Sequence, residues 1–77
     1  MKELLEFIVR SIASNPDEVK VTESREDNGN KVLLQLEVSP NDKGKVIGRQ
    51  GRVAQSIRTL LRVASIKNGT RAVLEIL

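Results

Sequence analysis

The residues whose types can do chemistry are concentrated in one short stretch, residues 43–52, which holds three glycines and four basic side chains. Within it, Gly48-Arg49-Gln50-Gly51 makes a very short turn, called the glycine loop below. No Cβ stands at either end of this loop, so a ligand can approach its backbone closely. A helix that begins next, near Arg52, would direct its unpaired N–H groups and the positive end of its dipole at the same region. These features predict an anion site suited to a phosphate.

This stretch does not fit the glycine patterns of nucleotide-binding enzymes. The spacing of Gly44, Gly48 and Gly51 differs from G-x-G-x-x-G, and no Gly-Lys-Ser or Gly-Lys-Thr follows at the distance that a P-loop requires. The chain has no histidine and no cysteine, and residues 43–67 contain no carboxylate that would act as a general base for a serine or threonine nucleophile. We therefore expect no enzyme, no bound metal and no cofactor.

The charge of the chain is unevenly distributed, although the net charge is only +3. Residues 1–40 carry five basic and eight acidic side chains, whereas residues 41–77 carry eight basic and two acidic ones. From Lys43 to Lys67 there are seven positive charges, including Lys45, and no negative one. Such a run is often only a solvated helix face. Here it contains the glycine loop, which favours a polyanion as the partner.

The length of 77 residues suits one domain, and we expect residues 1–77 to form it without a second one. No apolar run approaches the ~20 residues of a membrane span. The first residues lead into a helical pattern instead of the apolar block of a signal peptide. We therefore expect a cytoplasmic protein without a membrane partner.

The glycine loop must be positioned by the elements around it, and the first half of the chain predicts a helix and a β-hairpin. Residues 2–14 have the apolar spacing of a helix, which Asn15-Pro16 ends. Residues 19–23 and 32–38 alternate as strands, and residues 27–30 between them (Asp-Asn-Gly-Asn) are typical of a hairpin turn. The two strands should be antiparallel neighbours. The apolar stripe of the helix consists of Leu4, Leu5, Ile8, Val9 and Ile12.

The second half predicts two helices and a strand. Residues 39–42 are typical of a turn that caps a short helix over 43–47, and a long helix follows from Arg52 to the turn at Gly69. Residues 71–77 alternate as a last strand. The order α-β-β-α-α-β predicts a two-layer α+β domain with helices on one face of a three-stranded mixed sheet, whose second and third strands are parallel. The predicted buried stripe of the long helix is Val53, Ile57, Leu60, Leu61 and Ala64, with Gln55, Arg58, Arg62 and Ser65 broadly opposite.

Given this loop and this order of elements, the chain resembles a known family, the KH domain. The arrangement is similar to type II, as in small stand-alone bacterial RNA-binding proteins. The resemblance is carried by residues 46–52 (Val-Ile-Gly-Arg-Gln-Gly-Arg) and 56–61 (Ser-Ile-Arg-Thr-Leu-Leu), and it extends over essentially the whole chain. One departure is Ala54, where the family often has a larger aliphatic residue. This change would let the long helix lie closer to the sheet.

The resemblance implies that the chain binds single-stranded RNA, since the G-x-x-G loop of KH domains clamps the backbone of about four nucleotides while the bases lie in a groove between the helices and a strand edge. Phe7 is the only aromatic residue and is expected in the core, so no ring near the loop can stack on bases. Binding should be weak and of low sequence specificity, as in post-transcriptional regulation or RNA chaperoning. The RNA-binding positions carried over from the family are Lys45, Gly48, Arg49, Gln50, Gly51 and Arg52.

Two other interpretations stay open: a protein-interaction module for dimerisation with slight RNA binding, and a ribosome-assembly factor. The long helix itself predicts self-association, because Ser56, Leu60 and Val63 follow the i, i+4, i+7 spacing of a helix-packing seam and Thr59 flanks them. The small residues would let a second backbone approach closely. We therefore expect a homodimer, or a heterodimer with another KH protein, through these residues.

Overall fold

The alternating apolar residues of positions 31–37 form the central strand of the computed structural model, which describes residues 1–77. Single 3₁₀ turns at Pro16–Glu18, Asp27–Gly29 and Arg49–Gly51 lie between the larger elements. The element order is the predicted α-β-β-α-α-β. The elements are α1 (Lys2–Ile12), β1 (Lys20–Glu26), β2 (Lys31–Glu37), α2 (Pro40–Ile47), α3 (Arg52–Lys67) and β3 (Arg71–Ile76).

The sheet has the strand order β1-β2-β3, and its mixed topology is the predicted one. Strands β1 and β2 form an antiparallel hairpin, in which Glu23 is paired with Leu34. Strands β2 and β3 are parallel, and Leu34 is paired with Leu74 on that side. Because helices α2 and α3 connect β2 to β3, the chain returns to the same end of the sheet before it adds the last strand. This topology makes β1 and β3 the two edge strands.

The core lies between one face of the sheet and the helices. Leu34 and Leu36 of β2 are fully buried against Leu5 of α1 and against Ile57 and Leu61 of α3. Each such side chain contributes roughly 1.5–3 kcal/mol when it leaves water. The opposite face of β2 carries Lys31, Leu33 and Gln35, which are only partly buried, so the helices cover one face as predicted.

Helix α3 is rotated relative to its predicted orientation. Leu60 was expected in the buried stripe but is 52% exposed, and Val53 and Ala64 are only partly buried. Two small residues, Ala54 and Ser65, are buried instead. The Ser65 hydroxyl is satisfied inside the structure, since it donates to the Arg62 carbonyl at 2.9 Å. The observed stripe consists of Ala54, Ile57, Leu61 and Ser65.

Two predictions for the other helices were also wrong. Phe7 was expected in the core but is 72% exposed, because it lies on the opposite side of α1 from the buried Leu5 and Val9. Helix α2 was expected to begin near residue 43, yet it begins at Pro40. Proline is favoured at the first helical position because its missing N–H has no partner there. Residues 40–42, which were expected in a turn, therefore form the first turn of α2, and Ser39 occupies its cap position.

Candidate nucleic-acid interface

The glycine loop joins α2 to α3 through three residues with positive φ. Gly48 ends α2 with φ 78° and ψ 175°, and its N–H donates to the Gly44 carbonyl at 2.8 Å. Gln50 follows with φ 57°, and Gly51 with φ 74°. The Gly51 N–H closes the turn on the Gly48 carbonyl at 3.2 Å. The loop is therefore a defined tight turn that leads directly into the first residue of α3.

The two glycines of the loop are required for different reasons. A Cβ on Gly48 would lie 2.4 Å from Val53 Cγ2 and 2.9 Å from the Val53 backbone nitrogen. A Cβ on Gly51 would have no atom within 4 Å. The absence of a side chain at Gly48 thus lets α3 pack against the end of α2, whereas Gly51 leaves the loop open to the surroundings. Only the open space at Gly51 agrees with the prediction that a ligand can approach the backbone of the loop closely.

The polar side chains of the loop face solvent and have no partners. Arg49, Gln50 and Arg52 are exposed, and neither arginine takes part in any of the ion pairs of the structure. No side chain caps the amino end of α3, where Gly51 occupies the cap position. The first N–H groups of a helix lack intrahelical partners and attract anions. The loop therefore combines free positive charge with a helix start that no side chain caps, although the Arg52 N–H donates to the Arg49 carbonyl.

Lys45 differs from the other predicted site residues because its ammonium group already interacts with other side chains of the protein. Its ammonium group donates to the Ser14 hydroxyl and lies 4.0 Å from a carboxylate oxygen of Asp42. Lys45 thus points from α2 to the end of α1. The other five predicted residues are contiguous from Gly48 to Arg52, whereas Lys45 lies one turn earlier and is tied to another element.

Asp42 is a buried carboxylate that the sequence pattern assigned to a turn. It accepts hydrogen bonds from the backbone N–H groups of Ser14 at 2.8 Å and Asn15 at 2.9 Å, and from the Ser39 hydroxyl at 3.1 Å. These bonds, the two backbone donors first, outweigh desolvation and hold the pKa of Asp42 below its ordinary value, with Lys45 adding a smaller effect. Asp42 thereby fixes the start of α2 to the end of α1.

A groove runs between α3 and the edge strand β3 with a volume of about 180 Å³. Its apolar part includes Leu61 and Leu74, which are almost fully buried. Arg58 and Arg62 stand along its α3 side, and neither has a carboxylate or hydrogen-bond partner for its guanidinium group. The resemblance implied a groove between the helices and a strand edge, but sequence reasoning placed both arginines on the solvated side of the helix, because their proximity to β3 depends on the rotation of α3. The α3–β3 groove is lined by Arg58, Leu61, Arg62, Ala72, Val73 and Leu74.

The outer face of α3 carries the residues predicted as a dimer seam. Leu60 is 52% and Val63 53% exposed. The hydroxyls of Ser56 and Thr59 donate at 3.0 Å to carbonyls of their own helix. A partner that covers these hydroxyls would therefore leave neither donor without an acceptor. Ile66 is exposed on the same helix and was missed, although it lies three residues after Val63. The outer face of α3, meaning Ser56, Thr59, Leu60 and Val63, therefore presents two apolar side chains and two internally bonded hydroxyls to solvent.

The structure contains no group of three or more acidic, histidine or cysteine side chains that would hold a metal ion. None of its helices is long and apolar enough to cross a membrane. The arginines of the glycine loop and of the α3–β3 groove take part in none of the ion pairs of the structure.

With this geometry established, the chain was compared with known proteins. A model of the KhpA/KhpB KH domain matches residues 2–76. The chain belongs to the KhpA/KhpB family of KH domains. The predicted membership of the KH family is thus confirmed, and with it the prediction that the chain is not an enzyme, since this is a family of RNA-binding KH proteins.

Relatives in this KH family match the chain over nearly its full length. The RNA-binding protein KhpA of Clostridium acetobutylicum is 47% identical over 77 residues, which cover all of both chains. The protein of the same name from Clostridium perfringens is 46% identical, again over the full length of both. That of Borreliella burgdorferi is 47% identical over 75 residues, or 97% of this chain and 89% of the relative.

Two solved structures of Era show the same fold as this KH domain. Aquifex aeolicus Era bound to GDP and AlF4⁻ matches 97% of this chain and 28% of its own with a TM-score of 0.61 and 20% identity. Era in complex with MgGDPNP and nucleotides 1506–1542 of 16S ribosomal RNA gives a TM-score of 0.56, also at 20% identity. The chain spans little more than a quarter of Era, so the likeness concerns the fold, which agrees with the predicted α+β architecture.

Proposed function

We propose that this chain acts as a single KH domain that binds short single-stranded RNA by clamping its sugar-phosphate backbone at the glycine loop. The observation that carries the proposal is the exposed turn with unpaired Arg49 and Arg52 at the uncapped amino end of α3. Membership of a family whose relatives are named RNA-binding proteins supports the same conclusion.

In this mechanism the phosphates meet charge and hydrogen-bond donors together. Arg49 and Arg52 neutralise phosphate charge, and the Gln50 amide donates a hydrogen bond. Gly51 leaves room for the strand to approach the backbone, because nothing stands within 4 Å of its Cβ position. Lys45 contributes after it leaves Ser14, or contributes only long-range charge. The phosphate contacts position the strand without reading its sequence.

The bases of the bound strand then lie over the α3–β3 groove, which begins beyond the first turns of α3. No aromatic side chain lines this groove, so the binding lacks the roughly 1–3 kcal/mol per base that ring stacking supplies. The complex is accordingly weak and exchanges quickly. Such binding suits an RNA chaperone or a post-transcriptional regulator that meets many transcripts.

The test is the double variant Arg49→Asp/Gln50→Asp. Both side chains are exposed, so the variant keeps the fold, but it sets negative charge against phosphate. We expect it to lose binding of a fluorescein-labelled single-stranded RNA in an anisotropy titration. The matched control is Arg25→Asp/Asn28→Asp at the far hairpin, which changes the net charge equally and retains binding. A folded loop variant that binds like wild type rules out the clamp and favours the protein-interaction module.

We further propose that a second KH-domain chain, another copy or a related one, packs on the outer face of α3. At 100° per residue, Leu60 lies about 160° around the helix from both Arg58 and Arg62. Val63 lies about 100° and Thr59 about 60° from Arg62, so a partner centred on Ser56 and Leu60 leaves the α3–β3 groove free. Two weak sites joined in this way would bind one RNA with higher avidity. A ribosome-assembly role remains the narrower version of the RNA proposal, and RNA recovered by crosslinking in cells would consist of ribosomal RNA in that case.

A further inference from the structure

Ser14 and Lys45 form a side-chain contact between two helices beside the glycine loop. The Lys45 ammonium group donates to the Ser14 hydroxyl and lies 4.0 Å from Asp42 Oδ1. Ser14 is exposed just after the end of α1, whereas Lys45 lies in the last turn of α2. The contact thus engages, at the surface, the one charged residue of the predicted RNA-binding set that has partners within the protein.

The junction between α1 and α2 does not depend on this lysine. Asp42 is fully buried, and its oxygens accept hydrogen bonds from the backbone N–H groups of Ser14 and Asn15 and from the Ser39 hydroxyl. The side chain of Lys45, in contrast, is 51% exposed. Lys45 can therefore leave both partners while the hydrogen bonds that join α1 to α2 stay in place.

Lys45 is also close enough to the glycine loop to serve a ligand there. Gly48 lies three residues further along the chain, about 4.5 Å along the axis of α2. Lysine carries its charge on a flexible four-carbon stem, so a rotation of the side chain moves the ammonium group from the end of α1 towards the loop. A phosphate at the loop offers a full negative charge, whereas Ser14 offers a neutral hydroxyl. The exchange costs the protein its contact with Ser14.

We propose that Ser14 competes with RNA phosphate for Lys45 and thereby weakens binding at the glycine loop. This inference rests on the proposed RNA clamp, and it assigns part of the affinity to a residue that does not touch the RNA. Removal of the Ser14 hydroxyl therefore strengthens binding. A hydroxyl that only supported the fold would weaken binding when removed, or leave it unchanged.

The test variant is Ser14→Ala, which removes the hydroxyl and keeps the backbone N–H that donates to Asp42. Binding is measured by the anisotropy of fluorescein-labelled oligouridine of about eight nucleotides, twice the length that a KH clamp covers. We expect the variant to bind about two- to five-fold more tightly than wild type, the range for one exposed charged contact. The matched control is Ser11→Ala. It removes an exposed hydroxyl that donates to the Phe7 carbonyl of its own helix, and it should bind as wild type does.

A double-mutant cycle with Lys45→Met assigns the gain to the contact itself. Lys45→Met should bind more weakly than wild type, with a slope of log K against log salt that is shallower by about 0.7, the value for one phosphate contact on a single strand. Ser14→Ala should keep the wild-type slope, because Lys45 reaches phosphate in both chains. Combined with Lys45→Met, it releases no cation and should leave the affinity of Lys45→Met unchanged.

A second measurement needs no variant. The Lys45 Cε and Hε resonances of the wild-type chain should shift as oligouridine saturates it, since the ammonium group changes its partner. Resonances that stay unchanged at saturation overturn the competition, whether or not Ser14→Ala folds.

The outcomes separate the two proposals. A folded Ser14→Ala variant that binds no more tightly than wild type overturns the competition and leaves the clamp standing. A gain that persists in the Lys45→Met background, or a salt slope that Lys45→Met does not change, has the same meaning. A wild type that does not bind oligouridine overturns both the clamp and the competition.

Discussion

Replacing each glycine around the loop by alanine tests the packing of α2 on α3. Gly48 has φ 78° and ψ 175°, a region that is essentially restricted to glycine and costs other residues on the order of 1–3 kcal/mol. The new Cβ would also lie 2.4 Å from Val53 Cγ2 and 2.9 Å from the Val53 nitrogen, so α3 must shift. Overpacking of this kind costs another ~1–3 kcal/mol.

The expected destabilisation of Gly48→Ala is therefore about 2–6 kcal/mol. A small domain of this size has roughly 3–5 kcal/mol of stability in total. Far-UV circular dichroism should consequently show a largely unfolded chain, or a urea midpoint far below that of wild type. Val53→Ala in the same background removes the closest side-chain atom and should recover part of the loss, but the contacts with Cβ at 2.8 Å and with the backbone nitrogen at 2.9 Å remain.

The other glycines supply matched controls. Gly51→Ala meets no atom within 4 Å and has only the left-handed backbone to accommodate, at about 1–2 kcal/mol, so it should fold and lose RNA affinity instead. Gly44→Ala lies inside α2 with open space around it and should stabilise by about 0.5–1 kcal/mol. Equal urea midpoints for Gly48→Ala and Gly51→Ala would refute the close packing of Val53 on Gly48.

Three further results are expected. If Lys45 leaves Ser14 and joins Arg49, Arg52 and a neighbouring cation in neutralising three or four phosphates, log K against log salt should have a slope of about −2 to −3, and a slope near zero would contradict the charge-based mechanism. Sedimentation should show a wild-type dimer at high micromolar concentration that Leu60→Lys/Val63→Glu abolishes, whereas a monomeric wild type excludes the homodimer and an undiminished dimer excludes this face. Because the pKa of Asp42 lies below its ordinary 3.8, its hydrogen bonds stabilise the fold above about that pH and are lost as the pH falls through the lowered value. Asp42→Asn should therefore lower the melting temperature at pH 7, and the gap to wild type should narrow in acid; a constant gap would refute this role.

The parts of the site that could be predicted are those set by local sequence. The glycine loop followed from two glycines three residues apart, because Gly48 and Gly51 adopt backbone conformations that other residues avoid. The parallel pairing of β2 with β3 followed from the helices between them, since a parallel neighbour requires a long crossover. The predicted start of α3 at Arg52 was also correct, because the glycine loop ends just before this residue and the amphipathic pattern begins with it.

The roles of Lys45 and Asp42 could not be predicted in this way. Their partners, Ser14 and Asn15, are more than two dozen residues away in sequence and become neighbours only when α1 packs beside α2. A carboxylate in the first turn of a helix has the same sequence pattern whether it faces water or another element. Nothing local shows that the protein holds Lys45 away from the loop.

The sequence by itself determined the elements, their order, the glycine loop and the excess of positive charge after residue 43, because each depends on neighbours along the chain. Only the tertiary structure decided the rotation of α3, since a helix turns to bury whichever stripe packs best on the sheet and on α2. That rotation brought Ala54 and Ser65 inside and left Leu60 on the surface. It also placed Arg58 and Arg62 along the groove beside β3.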